Sequence, residues 1–140
     1  MDTISQQDSD AQCVYRPLKE DIHLFIFTES SPQVVDQMMM NLRAIYAARA
    51  ADGPPLRFLL DFSVSGPLPV NYTEAQLRSL FFAHPQRPPA RTAIITHEWY
   101  MYTLMDLFLR LLKLEREVVR FFIPEQREEA LLWLCNGKTL

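Results

Sequence analysis

The stretch Leu56-Arg57-Phe58-Leu59-Leu60-Asp61-Phe62 decides the fold. It is short and almost wholly apolar, and a loop with serines, glycine and prolines follows it. A run of this kind has no polar face, so it predicts a strand that is buried on both sides. Strands of this type occur in parallel sheets covered by helices, and the chain is therefore predicted to have an α/β fold.

The other predicted elements lie on either side of this strand. Two strands precede it, pair as a hairpin and are followed by a helix with a proline in its first turn. Three further helices and two strands alternate after it. The predicted segments are strands Gln12–Arg16 (ended by Pro17) and Ile22–Thr28, helix 32–51, helix 73–83, strand Arg91–Thr96, helix Trp99–Leu114, strand Val118–Ile123 and a closing helix from Pro124.

The resulting order is β-β-α-β-α-β-α-β-α. It predicts one α/β domain with a mixed, mostly parallel sheet, an N-terminal β-hairpin and about four helices. Residues 1–11 are polar and acidic and are predicted to be a flexible tail, so the domain spans residues 12–140.

The composition of the chain excludes several classes of function. With 140 residues and 49% hydrophobic content, the chain has enough apolar material for one core. A net charge of -3 argues against a nucleic-acid surface, and no apolar run reaches the roughly 20 residues of a membrane span. Cys13 and Cys135 lack metal-binding spacing, which favours free thiols in a cytoplasmic protein without metal or cofactor.

Several polar residues have a plain structural interpretation. Ser30 with Gln33, and Thr73 with Gln76, have the spacing of capping boxes. His23 alternates with apolar neighbours and is expected on a solvated position of its strand. Arg87 and Arg91 flank a proline-rich connector and are interpreted as a small basic surface patch.

The predicted helix Trp99–Leu114 is apolar around most of its circumference. Its polar residues recur every three or four positions and form one stripe, so the helix carries more apolar surface than one sheet face needs. Three interpretations stay open: a homodimer face, ordinary core, or the wall of an apolar-ligand pocket. The residues that would form the face or the wall are Trp99, Tyr100, Tyr102, Met105, Phe108 and Leu112.

Asp61 and His97 are predicted at the carboxyl ends of parallel strands, where α/β sheets bind ligands. Together with Ser63 or Ser65 they contain the residue types of a hydrolytic triad. The GxSxG elbow is absent from the sequence, however, so satisfied loop polar groups are the alternative.

Three segments carry a resemblance to a known family. They are Leu59-Leu60-Asp61-Phe62-Ser63, Arg91-Thr92-Ala93-Ile94-Ile95, and Val119-Arg120-Phe121-Phe122 followed by Glu128-Glu129-Ala130-Leu131-Leu132-Trp133-Leu134. Over roughly residues 22–134 the chain resembles the SpoIIAA-like family of the STAS-type fold, to which anti-sigma-factor antagonists belong. The resemblance implies a module without enzymatic activity that docks a protein partner.

The resemblance also implies a regulatory serine in an Asp-Ser-Ser-Gly-type motif. The matching stretch here is Val70-Asn71-Tyr72-Thr73-Glu74, which lacks that motif and leaves Thr73, with Ser63 and Ser65 upstream, as candidate phosphorylation positions. Some members have been likened to lipid carriers. The predicted function is thus a homodimeric interaction or regulatory module, with a carrier or sensor of an apolar ligand as the alternative and a hydrolase third.

Overall fold

The computed structural model of the protein describes residues 13–66, 68–111 and 117–135, without the side chains of residues 101, 102 and 107–111. Five strands and four helices alternate as predicted, and short 3-10 turns at Lys19–Asp21 and Pro124–Gln126 precede β2 and α4. The elements are β1 Cys13–Leu18, β2 Ile22–Phe27, α1 Pro32–Ala47, β3 Leu56–Asp61, α2 Val70–Ala83, β4 Ala90–Ile95, α3 Glu98–Leu111, β5 Glu117–Phe122 and α4 Arg127–Cys135.

The five strands form one sheet in the order in which they occur along the chain. β1 and β2 are the predicted antiparallel hairpin, and β2 to β5 are mutually parallel. Each parallel crossover moves one strand in the same direction. Because such crossovers are right-handed, α1, α2 and α3 are expected on a single face, which leaves α4 to cover the other.

The two hydrophobic clusters confirm this division. On the three-helix face, β-strand residues such as Phe25, Phe58 and Ile94 pack with residues of α1, α2 and α3. On the α4 face, residues such as Leu59 and Ala93 pack against α4. β3 contributes to both clusters, so the prediction of a strand buried on both sides is confirmed.

One short helix does not cover a five-stranded sheet. α4 packs chiefly on β4 and β3. On β5, at one edge of the sheet, Val118 and Arg120 point to the α4 face and remain exposed. The α4 face is therefore partly open to solvent at its β5 side.

The structure corrects several predicted boundaries. β1 continues through Pro17, which pairs with His23; proline is tolerated there because β1 is an edge strand. Gln12 lies outside the described residues. α1 is capped by Ser31 instead of Ser30, since the Ser31 Oγ accepts a hydrogen bond from the Val34 N–H at 3.3 Å.

The predicted cap at Thr73 is also wrong. α2 begins at Val70, one turn earlier, and the Thr73 hydroxyl donates to the Pro69 carbonyl at 2.7 Å. At the C-terminal end, Pro124 begins a 3-10 turn, and α4 starts at Arg127.

Three polar residues expected at the surface are buried. His23 is buried, and its ring packs between aromatic neighbours. A hydrogen bond of 2.7 Å between its Nδ1 and the Tyr15 hydroxyl replaces water at that nitrogen. Arg87 and Arg91 do not form an exposed basic patch, because each guanidinium lies over an aromatic ring, 4.2 Å and 3.9 Å from the ring centroid. The stacking supplies contacts that water would otherwise provide.

Candidate functional site

A cavity of about 60 Å³ lies under the helices on the three-helix face. β3, β4 and β5 form its floor, and α1, α2 and α3 form its walls. The lining is almost entirely aliphatic and aromatic. The apolar lining residues are Met38, Leu42, Tyr46, Phe58, Leu60, Phe62, Leu68, Leu77, Leu80, Phe81, Ala90, Leu104 and Val119.

A buried ion pair lies at this cavity. Glu117 belongs to the lining, and its Oε1 accepts a hydrogen bond of 2.8 Å from Arg87 Nη2. Both side chains are only 6% exposed. Arg87 also donates to the His84 carbonyl at 3.2 Å and lies over the ring of Phe81, which is itself a lining residue.

Tyr46 adds a phenol to the same region. Its ring contacts those of Phe58, Phe81 and His84. Burial raises the pKa of Tyr46 above its ordinary value, the negative charge of Glu117 raises it further, and Arg87 opposes the shift. Tyr46 therefore stays protonated at neutral pH and keeps an O–H donor beside the cavity.

One carboxylate oxygen of Glu117 is left as a free hydrogen-bond acceptor among the described residues. Its Oε2 is buried and has no hydrogen-bond partner among the described residues. A buried carboxylate oxygen without a donor is costly, by about 1–3 kcal/mol or more for a charged group. A ligand that brings a hydrogen-bond donor into the cavity would remove this cost.

A second polar cluster surrounds the C-terminal end of β3. Asp61 Oδ1 accepts hydrogen bonds from the Ser63 N–H at 2.9 Å and from the Ser63 hydroxyl at 2.6 Å. Its Oδ2 accepts from Arg127 Nη1 at 2.7 Å. Because Arg127 begins α4, the cluster ties the loop after β3 to the helix on the opposite face.

His97 joins this cluster through the backbone. Its Nε2 lies 2.9 Å from the Ser63 carbonyl oxygen, whereas the Ser63 hydroxyl proton is directed to Asp61. The Ser65 hydroxyl donates to the Gly66 carbonyl. A triad needs the histidine to accept the proton of the serine nucleophile, and the described contacts instead match the alternative of satisfied loop groups.

The beginning of α3 packs on the same loop. A Cβ atom at Gly66 would lie 2.5 Å from Tyr100 Cε2, so only glycine allows this approach, and its φ of +73° also favours glycine. The rings of Tyr100 and Trp99 are in contact, with centroids 3.6 Å apart and planes tilted by 32°. Trp99 is 70% exposed and the neighbouring loop residue Val64 is 71% exposed, so an apolar surface lies at this edge of the sheet.

The remaining predicted site residues divide into two groups. Thr73 is buried in the cavity wall with its hydroxyl engaged, and Met105 is half-buried on α3. The side chains of Tyr102 and Phe108, and Leu112 as a whole, lie outside the described residues. The described residues contain no group of three or more histidine, cysteine or acidic side chains arranged for a metal ion, and no helix among them has the length and apolarity needed to cross a bilayer.

Comparison with known proteins bears on the fold. No protein-family model matches the chain, and no curated protein matches its sequence. A crystal structure matches with a TM-score of 0.56 and 20% identity, covering 88% of this chain and 92% of the other. It is that of an uncharacterised protein of the DUF3478 family with a SpoIIAA-like fold from Shewanella loihica PV-4.

The fold is SpoIIAA-like. The resemblance inferred from the three sequence segments is confirmed at this level, as is the prediction of a mixed α/β domain. At 20% identity the match extends to the fold and carries no function from one protein to the other.

Sequence reasoning missed the pair at the cavity. Arg87 lies among prolines and Glu117 stands in a charged run, and both patterns are typical of exposed connections. Their contact spans 30 residues of chain. The one usable signal is the alternation of β5, which places Glu117 on the same side as Val119 and Phe121.

Proposed function

We propose that the protein is a non-catalytic binding module whose core cavity holds a small apolar molecule with one hydrogen-bond donor. The observation that carries the proposal is an apolar cavity whose lining includes a buried carboxylate oxygen without a partner among the described residues. Ligand sites in proteins commonly combine apolar walls with few, well-placed polar groups. The cytoplasm suits such a module, since Cys13 and Cys135 are free thiols.

The size of the cavity limits the ligand. An apolar cavity of about 150 Å³ holds benzene. This one, at about 60 Å³, has room for a short chain of carbon atoms instead of a whole lipid tail. The proposal therefore favours a sensor of a small molecule over a lipid carrier.

The energetics also favour an occupant. At about 24 cal/mol per Å³ of cavity, an empty volume of this size costs about 1.4 kcal/mol of stability. The unpartnered Glu117 Oε2 adds a further cost. An alcohol or a similar donor would recover part of both, because its chain fills the cavity while its O–H reaches the carboxylate.

Two isomeric probes test this chemistry. 1-Butanol and methyl propyl ether have the same atoms, but only the alcohol has a donor. We expect 1-butanol to shift the methyl NMR signals of Leu77, Leu80 and Leu104 saturably, with a dissociation constant of about millimolar order. The ether should bind about tenfold more weakly, as the loss of a hydrogen bond to a charged group implies.

Ala90→Ile is the matching variant, since it adds three carbon atoms to the cavity lining. Ala93→Ile makes the same change in the same strand on the α4 face and serves as the control. The proposal is refuted if 1-butanol produces no saturable shift, or if Ala90→Ile binds it as well as Ala93→Ile does. If 1-butanol binds as expected, native mass spectrometry of the purified protein would identify any natural occupant of the cavity.

A second candidate function, a homodimeric interaction module, has its own support. Trp99 and Val64 expose apolar surface at one edge of the sheet, and the Trp99 ring contacts that of Tyr100. Aromatic side chains of this kind are typical anchors of protein interfaces. The dimer would place this edge against a second copy of the chain.

Sedimentation velocity separates the two candidates. Trp99→Asp should convert a dimer to folded monomers, whereas Phe82→Asp, a change at an 88% exposed residue of α2, should leave it intact. A wild-type protein that sediments as a monomer throughout the micromolar range contradicts the dimer. It leaves the cavity proposal unaffected.

A further inference from the structure

Three arginines lie side by side on the α4 face, and the row ends with Arg120 at the open β5 side. Arg57 of β3 is the register partner of Arg91 of β4, and Arg120 of β5 pairs with Ala93, two residues further along. Side chains at such positions of neighbouring strands lie about 5–8 Å apart at their bases. The three side chains therefore form one cluster, called here the arginine cluster.

Each arginine is oriented by contacts with neutral groups. Arg91 lies over the Trp133 ring and donates to the Trp133 carbonyl at 3.0 Å. Arg57 donates to the Glu20 carbonyl at 2.7 Å, and Arg120 lies 5.2 Å from the centroid of the Phe122 ring. These contacts hold the guanidinium groups in place without neutralising their charge.

The charges of the cluster are not paired within the described part of the chain. Among the described residues none of its three arginines forms an ion pair, whereas four other arginines do. Arg91 is 8% exposed, and its Nε is buried without a hydrogen-bond partner in that part of the chain. Burial lowers the pKa of Arg91, and repulsion from Arg57 and Arg120 lowers it further.

Helix capping explains only part of this arrangement. The bond from Arg91 to the Trp133 carbonyl satisfies one acceptor in the last turn of α4. It uses one Nη2 donor and leaves the Nε unpartnered. Capping also gives no reason for Arg120, which is exposed on the next strand.

We propose that the arginine cluster is a docking surface for an acidic segment of a partner protein. Charge complementarity selects the acidic side chains, because three neighbouring arginines without an ion pair among the described residues favour carboxylates. Val118, the register partner of Arg91, is 43% exposed beside them and supplies an apolar contact that a peptide can use and a free inorganic anion cannot. α4 and the open β5 side form the borders of the surface.

Hexaglutamate, labelled with fluorescein for anisotropy, is the probe. We expect it to bind the full-length protein and to shift the side-chain Nε–H NMR signals of Arg91 and Arg120 while leaving that of Arg43 in place. Arg120→Gln should weaken binding about three- to fivefold, the effect of one partly exposed charge pair. Arg43→Gln removes the same charge from an exposed position on α1 and should change binding less than about twofold.

Arg120 is the residue to change first because it is exposed and forms no ion pair with another described residue. Circular dichroism verifies that both variants are folded. If Arg120→Gln and Arg43→Gln weaken hexaglutamate binding equally, the net charge of the protein explains the binding and the proposal is overturned. Absence of the Nε shifts, the same shifts with inorganic phosphate at equal concentration, or tighter binding of a single-stranded oligonucleotide than of hexaglutamate would overturn it as well.

Discussion

The ion pair between Arg87 and Glu117 gives the sharpest prediction about stability. Replacing Arg87 by methionine keeps an unbranched apolar stem but leaves the Glu117 carboxylate buried without its partner. Replacing Glu117 by leucine leaves the Arg87 charge buried without its partner in the same way. Both side chains are 6% exposed, so water cannot take over the lost interaction.

The expected cost follows from this burial. Removing one member of a buried pair costs about 3–5 kcal/mol, because the remaining charge is uncompensated. This is a large part of the 5–15 kcal/mol that stabilises an ordinary domain. The double variant Arg87→Met/Glu117→Leu leaves no charge behind, and we expect it to lie within about 2 kcal/mol of the wild type, despite the lost bond to the His84 carbonyl.

Urea unfolding followed by circular dichroism measures the free energy of unfolding of the wild type, the two single variants and the double variant. The coupling energy of the pair is the cost of the double variant minus the sum of the two single costs.

The reasoning is refuted by either of two results. One is a cost below about 1 kcal/mol for both single variants, which is the effect of a solvated surface pair. The other is a double variant whose cost equals the sum of the two single costs, because independent losses of packing would add in this way.

Other predictions concern the loop after β3, the hairpin and the thiols. Gly66→Ala should lower the free energy of unfolding by about 1–3 kcal/mol in urea titrations, because the new Cβ would overlap the Tyr100 ring and residue 66 has a left-handed backbone conformation. An unchanged midpoint would contradict this contact. Burial lowers the pKa of His23, with Asp21 opposing the shift, so the unfolded chain takes up the proton first and stability should fall as pH drops below about 6.5. His23→Gln should flatten that pH dependence, and equal slopes in both proteins would argue against it. Burial raises the pKa of Cys13 to about 12, so a thiol reagent should label Cys13 far more slowly than Cys135 in the folded protein and equally fast in urea, as mass spectrometry of the labelled peptides would reveal.

The architecture was predictable because it depends on local patterns. Apolar residues recur with the periods of strand and helix, and a proline in the first turn of α1 and a charged connection after α3 mark where elements begin and end. The chain order of β-α units then restricts the sheet to few topologies. Caps were less predictable. Ser30 and Ser31 are adjacent hydroxyls, and only the path of the chain determines which one meets the Val34 N–H.

The sequence by itself determined the burial of β3 and the mixed five-stranded sheet, since hydrophobic periodicity is written into neighbouring residues. Only the tertiary structure decided which charges are internal. Arg87 meets Glu117 across 30 residues, Arg91 meets Trp133 across 42, and no local pattern records either contact. The cavity and the arginine cluster arise for the same reason: both depend on side chains from separate strands and helices that folding brings onto one face of the sheet.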